Sequence, residues 1–146
     1  MIRLKNSLYF VLLLILCACQ PSQADASRDA KYAEAKRGNT AIVEAFHAKK
    51  SNLIVSGSGV VSKLLSDDNK GSRHQRFLVA LTERQTLLFA HNIDLAPRVP
   101  LAVGDEISFY GEYVYHPKGG IIHWTHHAPR NDHEAGWILH RGIQYQ

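Results

Sequence analysis

The chain has 146 residues, 45% of them hydrophobic and 21% charged, with 10 Gly and 5 Pro. This balance excludes a collagen-like, wholly disordered or multi-span membrane protein and suits one domain. The formal charge of +4 includes Arg3 and Lys5, which precede an apolar run; without them 15 basic residues face 13 acidic ones, a net +2. Such a charge is weak support for a nucleic-acid binder, which shows a concentrated basic face.

The apolar run, Leu8 to Ala18, is about 11 residues long, too short for a bilayer, which needs ~20. Behind a positive n-region and ending in small residues, it reads as a secretory signal over residues 1–18. Its end, Leu16-Cys17-Ala18-Cys19, resembles the lipobox of bacterial lipoproteins, with Cys17 standing where Ala or Ser is usual. The resemblance implies a diacylglyceryl thioether on Cys19, acylation of its amine and a durable membrane anchor. Gln20, rather than Asp, after that cysteine implies the outer membrane, facing the periplasm. The alternative is a non-lipidated signal with two incidental cysteines. Both cysteines fall here, so the folded part has no disulfide and no thiolate metal site.

Residues 19–28 form the lipidated cysteine and a polar tether, and residues 29–146 a helix followed by a β domain. From Asp29 to about Lys50 the composition is helical, interrupted by Gly38-Asn39-Thr40. Thr40 is the expected N-cap of a helix over Ala41–Lys50. Ile42, Phe46 and Lys49 share one face, with Val43 beside it, and His47 is solvated.

The period then switches to two. Asn52–Leu65 reads as a long strand whose Gly57 and Gly59 mark a bulge or sharp coil. Ser66–Gly71 is a turn cluster; Asp67, Asp68 and Asn69 faintly suggest a calcium loop, but Gly71 is misplaced for an EF-hand. Arg76–Leu81 and Thr86–His91 pair around Thr82–Gln85, while Pro97 and Pro100 keep Asp94–Pro100 out of any central strand. Glu106–Tyr115 alternates cleanly, with Ile107, Phe109, Gly111, Tyr113 and Tyr115 on one face. Gly119-Gly120 turns into a strand over Ile121–His126, and Trp137–Tyr145 adds a closing hairpin. The order is that of a mainly β, five-stranded OB-like barrel with an N-terminal helix. Phe77, Val79, Leu81, Leu87, Phe89, Ile107 and Phe109 share its interior.

The strings Gly71-Ser-Arg-His-Gln-Arg-Phe77, Ala90-His-Asn-Ile-Asp-Leu-Ala-Pro-Arg98, Gly111-Glu-Tyr113 and His123-Trp-Thr-His-His127 resemble the bacterial family catalogued as domain of unknown function 3465. The resemblance covers residues 40–146 and implies an OB-like fold but no activity. The family commonly has an Asp after the His-rich string, where this chain has Ala128, which weakens any scheme needing a carboxylate there.

Six of the nine histidines, His116, His123, His126, His127, His133 and His140, lie within one short stretch. On a strand, His123 and His127 point the same way and can share a divalent ion through neutral imidazoles. His126, His74 and His133 are further candidate ligands, with His91, Asp94 and Asp132 also candidate donors and zinc or copper as the cofactor. The plainer alternative is a set of hydrogen-bonding surface histidines. His91, Asp94, Arg76 and Arg98 form a second, catalytic constellation: arginines for a phosphate, His91 as base, Asp94 to orient it. Its alternative is an Arg98–Asp94 ion pair tying down the loop. Tyr110 and Trp124 are stacking candidates for bases or sugar rings, while Tyr113 and Tyr115 belong with the core.

The sequence therefore reads as an envelope-anchored lipoprotein whose barrel binds a ligand through a His-rich metal- or anion-binding face. Its partners are the membrane, through the lipid, and an envelope ligand or protein; nucleic acid is not favoured. A secreted metal-assisted phosphodiester hydrolase and a non-catalytic scaffold are the alternatives.

Overall fold

A computed structural model describes residue 34 and residues 37–146. The expected signal, Cys19, the tether and the segment at 29–33 lie outside the described residues. No helix among the described residues is long and apolar enough to cross a membrane.

A helix, α1, covers residues 37–47, and seven strands follow: β1 Leu53–Leu64, β2 His74–Ala80, β3 Thr86–Asn92, β4 Glu106–Val114, β5 Ile121–His123, β6 Trp137–His140 and β7 Ile143–Tyr145. Neighbours run β1-β2-β3-β5-β4, and β1 also pairs with β4, closing a five-stranded barrel. The β3–β5 pair is parallel and the others are antiparallel, which is the OB order. β6 and β7 extend the sheet from β4 as the expected closing hairpin.

Closure turns period-two alternation into one core. The seven expected interior residues are all buried, joined by Val55, Val61, Tyr113, Ile122 and Ile138. Phe77 and Phe89, opposite one another in register, stack at 4.9 Å, and Phe109 meets Phe89 edge-on at 4.9 Å. Tyr115 packs at the rim against Phe46 of α1, with ring centroids 5.8 Å apart.

The bulge in β1 lies between Val61 and Lys63 rather than at the glycines. Gly57 and Gly59 serve close approach instead: a Cβ on Gly57 would stand 2.7 Å from the Phe109 ring, and one on Gly59 2.5 Å from the Ala80 carbonyl oxygen. There β1 leaves β4 and joins β2, with Val60 paired to both.

Two element boundaries differ from expectation. α1 runs through Gly38-Asn39-Thr40, so Thr40 lies inside the helix and is not its cap. The reason is tertiary: Asn39 Nδ2 donates to the Ser58 carbonyl (2.8 Å), and the Ser58 N–H donates to Asn39 Oδ1 (3.0 Å). Gly38 fits because a Cβ would lie 2.0 Å from the Ser56 carbonyl oxygen. β5, expected to reach His126, stops at His123 because Trp124 takes the left-handed conformation, φ 51°.

Candidate functional site

On a strand the alternate residues face opposite sides, and the outward residues of β2, β3 and β5 bring His74, Asn92 and His123 onto one surface. The segment 124–136 folds back over that surface. Its ends are joined by a hydrogen bond from the Gly136 N–H to the His126 carbonyl (2.9 Å), which makes it a compact Ω-type loop. Gly136 is required at this closure, since a Cβ would stand 2.0 Å from the Trp124 carbonyl oxygen. The result is a cleft of about 570 Å3, with His74, His123, Trp124, His126 and His133 among its lining residues.

The imidazoles in it are oriented by the backbone. His74 Nδ1 lies 2.8 Å from the Ser72 carbonyl oxygen, His126 Nδ1 2.7 Å from that of His127, and His133 Nδ1 2.8 Å from that of Glu134. A carbonyl oxygen only accepts, so each Nδ1 carries a proton, and in the neutral ring the lone pair is left on Nε2. Trp124 stacks on His133 at 4.5 Å, and His126 meets His133 edge-on at 5.2 Å. The left-handed turn at Trp124 thus brings three rings into contact at the cleft wall, two stacked and the third edge-on.

Burial pushes the His123 and His126 imidazoles below their usual range, with His74 adding to the effect on both and His133 and His127 on His126. Both rings are therefore neutral at pH 7, and the cleft offers lone pairs rather than positive charge. The arginine that lines it, Arg130, donates from Nε to Asp132 at 2.9 Å, and the lining carboxylate of Asp94 is held from outside by Arg73, at 2.7 Å from both Nε and the backbone N–H. The Arg73 backbone N–H and then its guanidinium hold Asp94 below the usual carboxylate range.

His74, His123, His126 and His133 thus share one cleft with Asp132. Among the described residues, however, no three His, Cys, Asp or Glu side chains are placed to hold a metal ion. The expected pairing of His123 with His127 fails, because the turn at Trp124 breaks the strand alternation; His127 is exposed and lends only its carbonyl to His126. Tyr110 and Trp124 do not form one platform either. Trp124 belongs to the cleft, while Tyr110 stacks on Trp137 across the β4–β6 pair.

The catalytic constellation is not assembled. His91 shares the inward parity of Leu87 and Phe89 and is wholly buried, with Nδ1 2.8 Å from Thr125 Oγ1 and Nε2 3.1 Å from the Pro97 carbonyl oxygen. Arg76 Nε donates to the Ser66 carbonyl at 2.9 Å. Arg98 pairs with Asp67, not with Asp94. Asp68 bridges to His74 through two backbone hydrogen bonds, and its Oδ1 accepts the Lys70 N–H at 3.0 Å. Sequence reasoning missed Asn92, Arg130 and Glu112; the last sits opposite His123 in register, its carboxyl pushed up by burial. Parity alone would have placed His91 inside and Asn92 outside.

Residues 27–146 match the family described as a protein of unknown function, DUF3465. The chain belongs to that family. The DUF3465 match begins ahead of the expected residue 40 and so takes in all of α1 with the barrel. No curated protein and no solved structure matches the chain.

Proposed function

We propose that this DUF3465 protein is a lipoprotein of the bacterial envelope, anchored through Cys19 on the periplasmic side of the outer membrane. Its barrel is then a binding module that takes a divalent transition metal, zinc or copper, in the histidine cleft. The observation that supports this reading is the shared orientation of His74, His126 and His133, each with Nδ1 on a backbone carbonyl and Nε2 left as a lone pair. Backbone or carboxylate partners on the second ring nitrogen are the usual support of metal-bound imidazoles. Neutral rings and paired arginines favour a cation over an anion.

An ion would gather His126 and His133, already in edge contact, together with the Asp132 carboxylate 4.0 Å from His133 Nε2. Rotating and fixing each side chain costs about 0.5–1.5 kcal/mol. Binding is therefore expected in the micromolar range, about −8 kcal/mol, well short of preassembled structural zinc. Titration of the metal-stripped full-length protein with zinc and copper checks this. One ion per chain is expected, lost in His126→Ala/His133→Ala while the far-ultraviolet circular dichroism is unchanged. No saturable binding, or equal binding by the double variant, refutes the site. The anchor is checked separately: labelled palmitate should be incorporated into the wild type and not into Cys19→Ser.

A metal-assisted hydrolase draws no support from residues each tied to a separate partner. Cleavage of DNA or RNA that disappears in Asp94→Ala would reverse that judgement.

A further inference from the structure

A second concavity, of about 590 Å3, lies on the outward side of β1, β4 and β6, and its residues are not those of the histidine cleft. Short residues make its floor: Ser56 of β1 and Ser108 of β4, whose hydroxyls make no hydrogen bond among the described residues. Tall ones make its wall. Tyr110 and Trp137 are directly opposite in the β4–β6 register, and their rings lie 6.2 Å apart and 17° from parallel. The Tyr110 hydroxyl donates to the Glu134 carboxylate, which fixes the phenol ring in this plane. Gln144 of β7 closes the far side.

The chemistry of this surface is selective. No Lys, Arg or His lines it, and the Glu34 and Glu134 carboxylates stand at its edge, so a phosphate backbone would meet only repulsion there. The two rings stack on one another and make one aromatic wall, not the enclosing cage that recognises a quaternary ammonium ion. An aromatic wall beside free hydroxyls, an amide and two carboxylates suits a ligand with an apolar face and a hydroxyl-bearing rim. A β-1,4-linked hexopyranose is such a ligand: its equatorial linkages keep the chain ribbon-like, with C–H faces exposed and hydroxyls at the edges. We infer that the groove walled by Tyr110 and Trp137 is a glycan-binding site, with one sugar ring seated against the aromatic wall and its hydroxyls on Ser56, Ser108, Glu134 and Gln144.

The inference is independent of the metal reading and is tested on the full-length protein in a sugar-free detergent. The probes are cellotetraose and chitotetraose, with spermidine and oligothymidylate as controls. The chain has two tryptophans, so two indole N–H signals report the two surfaces separately. At least one sugar is expected to bind saturably by calorimetry, shifting the Trp137 indole signal and leaving that of Trp124 in place. Trp137→Ala should weaken binding about tenfold or more, the scale of one lost aromatic anchor. Ser108→Val, which keeps the aromatic wall but raises the floor, should abolish it. The site is overturned if neither sugar binds, if both variants bind as the wild type does, or if the Trp124 signal responds instead. Saturation of the same groove by spermidine or oligothymidylate without sugar binding also overturns it.

Discussion

His91 donates its Nε2–H to the Pro97 carbonyl, and its Nδ1 lies 2.8 Å from the Thr125 hydroxyl, which can donate to it, so both nitrogens of the buried neutral ring have partners. Burial, opposed in part by the Pro97 bond, lowers its pKa from 6.5 to about 4. The unfolded chain therefore binds this proton at a higher pH than the folded one does. Its stability contribution is complete above pH 6.5 and declines as the pH falls toward 4, by about 3 kcal/mol in all. Urea unfolding between pH 7.5 and 4.5 measures the slope. His91→Gln, which keeps a polar side chain at the site, should flatten it by up to one proton. An unchanged slope would show that His91 does not hold its neutral form. His123 and His126, also lowered, contribute in the same direction and remain in both proteins, so the difference between the two slopes isolates His91.

At the scale of elements, the glycines separate two effects of adding a methyl group. Gly119, φ +124°, precedes β5, and a Cβ there would stand 2.0 Å from the Thr86 carbonyl oxygen at the start of β3. Gly104, φ +95°, opens the turn into β4 with nothing within 4 Å. Gly104→Ala should then cost about 1–2 kcal/mol, from backbone conformation alone. Gly119→Ala should cost at least about 3 kcal/mol, because a backbone clash adds to the same strain. Equal urea midpoints for the two variants would contradict the tight β3–β5 approach. β4 was legible in the sequence because one face of it is buried along its whole length, which leaves the alternation Ile107, Phe109, Gly111, Tyr113 uninterrupted. The end of β5 was not, since no local rule forces a tryptophan into the left-handed region; the stack on His133 and the return of the loop at Gly136 hold it there. The histidines of the cleft were all among the candidates the sequence offers, but for the same reason the His123–His127 pairing expected at their centre does not form. His74 comes from a strand far away in sequence, and His126 and His133 from the loop that folds over it.

For the whole molecule, the decisive feature is how the barrel manages the edge of β1. β1 gives one edge to β4 along its first half and the other to β2 only from Val60 onward. The opposite edge of the first half would present bare N–H and C=O groups, a template for pairing with another chain. Asn39 covers it, its amide copying one step of a strand ladder on both the N–H and the C=O of Ser58, while Ile42 and Ala45 from the same helix enter the core. α1 is thus part of the closure, consistent with a family match that begins before it. Asn39→Ala removes both bonds and leaves two part-buried backbone groups without partners, so stability should fall by about 1–3 kcal/mol with an unchanged denaturant slope. It should also free the strand edge: concentration-dependent self-association, measured by sedimentation, should rise in the variant before any global unfolding. Asn39→Asp gives the contrast. It keeps the acceptor for the Ser58 N–H but sets a carboxylate against the Ser58 carbonyl, so it should lose stability while its charge opposes association. If both variants remain monomeric and as stable as the wild type, the edge is protected by something other than Asn39, and the helix is a lid on the core rather than a member of the sheet.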